Sequence, residues 1–255
     1  MISCLMVTRP GRLRFIERGV QCFESQTHAE KELLIVHDGD EPFDRSLREV
    51  RDRFPMSDIR VHRASRTATL GELRNLSVSL AKHPFICQWD DDDLFHPCRL
   101  SEQFGQLRKA GADCCFFTDQ LHWFEAVNQW YWDDWTVERP PGHLIQGSIL
   151  SRREIMPSYP HERRGEDSGL VRQLVRDGAR ITELTSKGYL YIYSYNGANA
   201  WDFSHHAAIS RWKHKPRSFL ETHRPILIRH IRDYALALQE AVFPLEDGVV
   251  VLDLS

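Results

Sequence analysis

The chain has 255 residues, 42% of them hydrophobic, so it can bury one sizeable core or two small ones. Its 33 basic and 36 acidic residues give a net charge of -3, which argues against general nucleic-acid binding because that function favours a basic surface. No apolar run approaches the roughly 20 residues of a membrane helix, and the start lacks the basic-then-apolar order of a secretion signal, so we expect a cytoplasmic protein.

The first half of the chain alternates strand-like and helix-like segments. Apolar runs predict strands at 2–8, 32–38, 58–64 and 84–89. Apolar residues at helical spacing predict helices at 12–25, 43–54 and 69–83. This alternation predicts a mostly parallel sheet with right-handed crossovers.

The pattern changes in the second half. Strands are predicted at 113–119, 143–151, 188–195 and 248–254, and helices at 97–111, 165–178 and 224–240. The aromatic segment 120–136 is predicted to form a hairpin that turns near Asn128. No repeat or linker is evident, so we expect one domain with a C-terminal extension. The six cysteines form no CxxC pair, which favours buried thiols over disulfides or zinc ligands.

Four consecutive carboxylates, in the segment QWDDDDLFHP, directly follow the predicted strand 84–89. Side chains alternate along a strand, so Asp90 and Asp92 are expected on one face and Asp91 and Asp93 on the other. In parallel sheets, ligands bind beyond the carboxyl ends of the strands. Two carboxylates there suit a hard cation such as Mg²⁺ or Mn²⁺, and the alternative is a solvated acidic turn.

Other polar residues are predicted at the same edge. Thr8 and Arg9 end the first strand, and Asp38 ends the second. Asp38 suits a hydrogen bond to a nucleobase or ribose, although an Asx turn also explains an Asp before Gly. Arg74, in GELRN, suits a phosphate or the acidic cluster and is otherwise a surface cation.

Two further motifs carry titratable side chains. Glu166 and Asp167 open a predicted helix, where they either favour the helix dipole or supply a general base. His205 and His206 follow NGANAWDFS and are either loop residues or a source of a metal ligand.

Taken together, the motifs resemble the family 2 glycosyltransferases of the GT-A fold. The resemblance covers about residues 1–206 and depends on SCLMVTRPGRL, ELLIVHDGD, GELRNLSVSLAKHPFICQWDDDDLFHP and GEDSGLVRQL. It implies an α/β/α sandwich around a mixed, mostly parallel sheet, with a nucleotide-binding half at about 1–97 and an acceptor half at about 98–206. Residues 207–255 would form a helical extension that packs on the domain or makes an oligomer or membrane contact.

The resemblance also implies residue roles. Counting back from Pro97 matches Asp90 and Asp92 to the D-x-D aspartates, so Asp92 would coordinate Mn²⁺ or Mg²⁺. The implied nucleotide-sugar site consists of Thr8, Arg9, Asp38, Arg74, Asp90 and Asp91. Asp167 would be the catalytic base, supported by Glu166. Asn196 stands where relatives often carry a His, which moves the third metal ligand to His205 or to water.

The implied reaction is inverting transfer of a sugar from a nucleoside-diphosphate sugar, by default a UDP-sugar, to a hydroxyl of a glycan or lipid-linked acceptor. Two alternatives are a sugar-phosphate nucleotidyltransferase and a non-catalytic binding module. The first generally has a Gly-rich basic loop after the first strand, whereas TRPGRL has one Gly.

Two segments have open interpretations. The aromatic residues of the hairpin either pack the core or stack on an acceptor sugar. The basic stretch 211–217 is either a solvated loop or a peripheral contact with anionic lipid at the inner face of a membrane. A homodimer through the C-terminal extension is a further hypothesis.

Overall fold

The computed structural model describes residues 1–65, 68–161 and 165–255. In these residues a seven-stranded sheet has the order β10-β6-β9-β4-β1-β2-β3. Its strands are β1 (Ile2–Thr8), β2 (Lys31–His37), β3 (Ile59–Arg63), β4 (Phe85–Gln88), β6 (Cys114–Phe117), β9 (Leu150–Arg152) and β10 (Ile181–Leu184). Strand β9 runs antiparallel to both neighbours and the other pairs are parallel, as the sequence predicts.

A second, six-stranded sheet has the order β13-β12-β8-β7-β11-β5. Its strands are β5 (Leu94–Phe95), β7 (Asp119–Phe124), β8 (Gln129–Asp134), β11 (Tyr191–Tyr195), β12 (Glu240–Leu245) and β13 (Gly248–Asp253). Strands β7 and β8 are the predicted hairpin, and Asn128 takes a left-handed conformation at its turn (φ 49°).

Seven α-helices complete the described part of the chain. They are α1 (Leu13–Glu24), α2 (Glu41–Asp52), α3 (Leu70–Leu80), α4 (Arg99–Ala110), α5 (Glu166–Arg176), α6 (Phe203–Lys213) and α7 (Arg217–Arg232). Alternate residues of β2 pack on opposite sides: Leu33 and Ile35 share a core with α1 and α2, whereas Leu34 and Val36 pack with Leu73 of α3. The first sheet is therefore covered on both faces, which confirms the α/β class.

The register of the first sheet aligns the strand ends that carry polar residues. Thr8 pairs with His37, which places Asp38 beside the end of β1. Gln88, the last residue of β4, pairs with Leu5, and the Trp89 backbone N–H donates to the Leu5 carbonyl at 3.0 Å. Strand β4 therefore ends level with Leu5, three residues before the end of β1. The acidic segment that follows β4 runs across this edge of the sheet.

The C-terminal part differs from the predicted helical extension. Helix α6 was not predicted, and residues 206 and 207, the expected boundary, lie inside it. Strands β12 and β13 join the second sheet by pairing of Val242 with Gln129, and Phe243 and Leu252 belong to the main hydrophobic core. The extension thus contains strands as well as helix, and it packs on the domain.

Three other elements differ from expectation. Helix α7 begins at Arg217 rather than 224, and Pro225 lies in its middle. Strand β9 is shorter than 143–151 because a 3₁₀ turn occupies Gln146–Ser148. Strand β10 follows Gly178 without the apolar run that would predict it. All six cysteines are free thiols and five are buried.

The aromatic hairpin mainly fills the core. Trp130 and Trp132 are at most 1% exposed, and Trp123 and Phe124 are also buried. Tyr131 lies on the other face of β8 and is partly exposed. The core interpretation therefore holds for the four buried rings.

Candidate active site

Arg12 balances one side of the acidic turn. It donates from Nε and Nη2 to both carboxylate oxygens of Asp91, at 2.8 and 2.7 Å, and Nη2 also lies 2.6 Å from Asp92 Oδ2. The Thr8 hydroxyl donates to Asp91 at 2.5 Å, and Asn199 Nδ2 donates to Asp92 Oδ2 at 3.0 Å. Arg12 is only 9% exposed, so this ion pair is poorly screened by solvent.

This geometry corrects the expected alternation of the four aspartates. Strand β4 ends at Gln88, and Asp91 and Asp92 lie in a turn, so one guanidinium contacts both side chains. Sequence reasoning missed Arg12. The signal was an Arg four residues after Thr8, in the short turn between β1 and α1.

Arg74 joins the turn to α5 from the other side. Its Nη2 donates to Asp90 Oδ1 at 2.9 Å and its Nε to Glu166 Oε1 at 2.7 Å. A capping box between Thr69 and Glu72 starts the helix that carries Arg74. Arg74 is 8% exposed and Glu166 is 2% exposed, so both are fixed in a nearly dry environment next to Asp167.

The fourth aspartate of the run has a structural environment. Asp93 accepts a hydrogen bond from the Tyr191 hydroxyl at 2.5 Å and from the Ser194 backbone N–H at 3.1 Å. Burial and the neighbouring Asp92 raise the pKa of Asp93 well above its usual range. These two hydrogen bonds from β11 hold Asp93, and with it the acidic turn, against that strand.

A third arginine lies beneath the turn. Arg99 is fully buried, its guanidinium lies 4.2 Å from the Phe95 ring centroid and 5.3 Å from that of Trp89, and Nη2 donates to the Gln88 carbonyl at 3.1 Å. Aromatic faces stabilise a cation in such a position. Arg99 therefore adds positive charge below the strand end from which the acidic turn begins.

Asp92 and Asp167 also have elevated pKa values. Burial and Asp91 raise the pKa of Asp92 to about 6. Burial and Glu166 raise the pKa of Asp167 to about 6, and Asp167 accepts from the Ser168 backbone N–H at 2.7 Å. In both cases an arginine pairs with the neighbouring carboxylate, Asp91 or Glu166. Each aspartate keeps one oxygen without a partner in the part of the chain that the structure describes, although Arg12 also contacts Asp92 Oδ2.

The carboxylates suit a divalent cation. Arg12 and Asn199 both contact Oδ2 of Asp92, which leaves Oδ1 without a partner among the described residues. A hard oxygen donor beside unbalanced negative charge fits Mg²⁺ or Mn²⁺. Gly147 also keeps the site open, because a Cβ there would lie 3.2 Å from Asp90 Oδ2.

The structure places the remaining predicted residues in three settings. Arg9 is exposed, and Asp38 is half-buried at the end of β2. His205 lies in the first turn of α6, where its ring stacks on Trp201 at 4.6 Å and its backbone N–H donates to Asp202. Within the described ranges, no contact joins His205 to Asp92. The N-cap at Asp202 fixes His205 on an exposed turn.

His206 belongs to a buried network instead. Its Nδ1 lies 2.9 Å from His122 Nε2, and His122 Nδ1 lies 3.0 Å from Asp133 Oδ2. Burial and His122 lower the pKa of His206 to about 3, so the ring is neutral. The network ties α6 to the β7–β8 hairpin.

A second cluster has the spacing of metal ligands. His96 Nε2, His230 Nδ1 and Asp233 Oδ2 lie within 4.8 Å of one another. The Cys98 backbone N–H donates to His96 Nδ1 at 3.1 Å, which leaves the ring proton on Nε2, and Asp233 accepts it at 3.0 Å. A metal would need the lone pair at that nitrogen, so we interpret the cluster as a hydrogen-bonded triad.

Comparison with known proteins identifies the family of this chain. The family model described as "Glycosyl transferase family 2" matches residues 5–160, so this chain belongs to that family and is an enzyme of glycosyl transfer. The matched region contains Arg12, Arg74 and the acidic turn and ends before α5. Among curated protein sequences, none is similar enough to count as a match.

Solved structures with the same architecture are glycosyltransferases of the GT-A fold. S. aureus TarS 1-349 has 14% identity and a TM-score of 0.59, over 91% of this chain and 79% of that chain. Its complex with UDP-GlcNAc has 15% identity and a TM-score of 0.61, over 90% and 66%. The mannosyltransferase PcManGT from Pyrobaculum calidifontis, in complex with GDP-Man and Mn2+, has 12% identity and a TM-score of 0.59, over 92% and 72%. At these identities the likeness establishes the GT-A fold.

Proposed function

We propose that this chain transfers a sugar from a nucleoside-diphosphate sugar, by default a UDP-sugar, to a hydroxyl of a glycan or lipid-linked glycan, with inversion and with Mn²⁺ or Mg²⁺. The observation that carries the proposal is that Arg74 joins Asp90 of the acidic turn to Glu166 at the start of α5. Donor-side and acceptor-side carboxylates therefore meet at one sheet edge. The ligands in the TarS and PcManGT structures support this class of donor.

The donor side is assigned to the ends of β1, β2 and β4. Asp38 binds the nucleobase, with Thr8 and Arg9 beside it, and Asp90 contacts the ribose. Asp91 holds Arg12 in place. Asp92 would hold the divalent cation through Oδ1, with phosphate oxygens and water as the other ligands, which is usual for Mg²⁺. When bound, the cation supplies electrostatic stabilisation of the leaving diphosphate.

The acceptor side is assigned to α5. Asp167 takes the proton of the acceptor hydroxyl as that oxygen attacks the anomeric carbon. Glu166 is engaged by Arg74, which keeps it from competing for the proton and leaves the guanidinium beside the developing negative charge. A single displacement with a base on the face opposite the leaving group inverts the anomeric centre. His205 receives no role in this proposal.

The basic stretch offers few free cations for a lipid surface. Lys213 pairs with Glu138, Lys215 with Asp134 and Arg217 with Asp247. In the part of the chain that the structure describes, no helix is both long enough and apolar enough to span a bilayer. These ion pairs favour a glycan over a lipid surface as the partner near this stretch.

A thermal-shift panel tests the donor proposal. Nucleotides and nucleotide-sugars based on UDP, GDP and dTDP are compared with and without Mn²⁺, because a ligand of the folded state raises the melting temperature. We expect one donor to stabilise the protein only when Mn²⁺ is present. Asp92→Asn should lose the Mn²⁺-dependent part of the shift. An undiminished shift in that variant or in EDTA overturns the metal assignment.

A further inference from the structure

A groove of about 330 Å³ lies at the far end of the second sheet. Its walls come from the β7–β8 hairpin, from α6 and from the turn between β12 and β13. The rings of Phe124, Tyr131 and Phe203 line it, together with the polar side chains Arg211, His214 and Glu246. None of these six residues has a part in donor binding or proton transfer above.

A row of tyrosines connects the acidic turn to this groove. Tyr191, Tyr193 and Tyr195 share one face of β11, at about 7 Å per two residues. The Tyr191 hydroxyl donates to Asp93 at 2.5 Å. At the other end, the Tyr195 ring lies 5.7 Å from that of Phe203. Tyr193 and Tyr195 are partly exposed, so the row is accessible between the two sites.

A second connection runs through the segment before α6. Asn199 donates to Asp92, and Phe203 begins the helix four residues later. Four residues span at most about 14 Å of chain, so Phe203 at the groove lies within that distance of Asn199. An oligosaccharide with its terminal sugar at the reaction centre would extend over the tyrosines and into the groove.

The groove has the chemistry of a carbohydrate subsite. Phe203 is 55% exposed, and an aromatic face offers apolar area to the C–H side of a pyranose. Arg211 is exposed and has no acidic partner among the described residues, so its donors are available, whereas exposed Glu246 offers acceptor oxygens. His214 Nδ1 lies 2.8 Å from the Ser210 carbonyl and donates to it, which leaves Nε2 as an acceptor.

We propose that this groove binds a sugar unit of an oligosaccharide acceptor, remote from the hydroxyl that reacts. The inference depends on the proposed glycosyl transfer and specifies its acceptor as an extended glycan rather than a lipid head group or a monosaccharide. The volume is at the lower end of the roughly 300–1,000 Å³ range of small-ligand sites, which suits one ring.

The test combines glycan binding with donor binding. Phe203→Ala removes the aromatic face on which a sugar would stack, and Arg211→Ala removes the guanidinium that would donate hydrogen bonds to it. Arg229→Ala is the matched control, because Arg229 is exposed on the neighbouring helix α7 and does not line the groove. Each protein is applied to a printed oligosaccharide array, and affinity for UDP with Mn²⁺ is measured by calorimetry. Melting temperatures confirm that the variants fold.

We expect the parent and Arg229→Ala to bind the same oligosaccharides and the two groove variants to lose at least tenfold in affinity, with equal UDP affinity in all four. Unchanged glycan binding by both groove variants overturns the inference. So does a parent that binds UDP but no oligosaccharide, and that outcome leaves the proposed function standing. A parent that binds none of the UDP, GDP and dTDP nucleotides of the thermal-shift panel overturns the proposed function, and the inference falls with it.

Discussion

Two arginines hold the acidic turn from opposite sides, and they do so differently. Arg12 reaches it from the loop after β1 and grips Asp91 with two hydrogen bonds while touching Asp92 with one nitrogen. Arg74 comes from α3 and bridges Asp90 to Glu166, and Glu166 lies 92 residues after Arg74 in sequence. Arg12 therefore pairs within the proposed donor side, whereas Arg74 connects that side to the proposed acceptor side.

The clusters around Arg12 and Arg74 have the same arrangement of charges. In each, the arginine neutralises a carboxylate adjacent in sequence to the aspartate proposed to work: Asp91 beside Asp92, and Glu166 beside Asp167. Each of these two aspartates keeps one carboxylate oxygen without a partner among the described residues, although Arg12 also contacts Asp92 Oδ2, and the pKa of each is raised to about 6. Burial disfavours the charged form of each of these aspartates, so a cation at Asp92 or a proton at Asp167 is favoured.

The largest effect is expected at Asp167. Asp167→Asn removes the proposed base and keeps its shape, so turnover should fall about 10²-fold or more while affinity for donor and Mn²⁺ is unchanged. Single-turnover kinetics with a surrogate sugar alcohol measure the rate, and calorimetry measures binding. A rate near that of the parent would return Glu166 and Asp167 to the role of helix-start carboxylates.

The pH profile of the parent provides the control for this variant. Asp167 acts as a base only when ionised, so with a pKa of about 6 the rate should rise with pH up to about 6 and then level off. Cation binding favours ionised Asp92 and lowers its pKa, so at saturating donor and Mn²⁺ the acid limb belongs to Asp167. The residual rate of Asp167→Asn should lack this limb.

Substitution of Arg12 should have a smaller effect, on affinity for Mn²⁺, and this effect should distinguish Arg12 from Arg74. Arg12→Gln removes a cation that competes for Asp92, so affinity for Mn²⁺ without nucleotide should rise about tenfold, or about 1.4 kcal/mol. Titration of the free Mn²⁺ signal by electron paramagnetic resonance measures it. Arg12→Lys, which keeps the charge, is the matched control.

Arg74→Gln provides the contrast on the other side. It leaves buried Glu166 without an ionic partner among the described residues. Such a change costs about 3–5 kcal/mol in other proteins, so the main effect should be a lower melting temperature. Equal Mn²⁺ affinity in Arg12→Gln and the parent would contradict the proposal that Arg12 competes with the cation for Asp92 while Arg74 stabilises Glu166.

The smallest effect is expected outside both clusters. Asp38→Ala removes one hydrogen bond to the nucleobase, worth about 1 kcal/mol or about fivefold in affinity. Calorimetry with the free nucleotide and with the bare diphosphate distinguishes the base from the phosphates, and only the first should weaken. Unchanged nucleotide affinity would remove Asp38 from the donor site.

The first sheet could be predicted from the sequence because its strands are apolar runs separated by amphipathic helices. The register of β1, β2 and β4 then brings Thr8, Asp38 and the acidic turn to one edge. The sequence did not reveal helix α6, since its signal is a single N-cap at Asp202 and its buried face is made of polar residues such as His206 and Ser210. The β12–β13 hairpin was missed in part because Pro244 interrupts its first strand.

Within the site, residue types were easier to predict than pairings. Asp90, Arg74 and Glu166 could be singled out by motif, but their joint contact depends on how α3 and α5 pack. Arg12 and Asn199 escaped notice because an arginine in a turn and an asparagine in a loop are common on surfaces. The alternation rule failed at Asp91 because the strand had already ended.

The stereochemistry of the product tests the central claim most directly. The identified donor, Mn²⁺ and a surrogate sugar alcohol are incubated with the enzyme, and the anomeric coupling constant of the product is read by proton NMR. Single displacement with Asp167 as base predicts that the configuration of the transferred sugar is inverted relative to the donor. A retained configuration would contradict the mechanism, even though the family and the GT-A fold would stand.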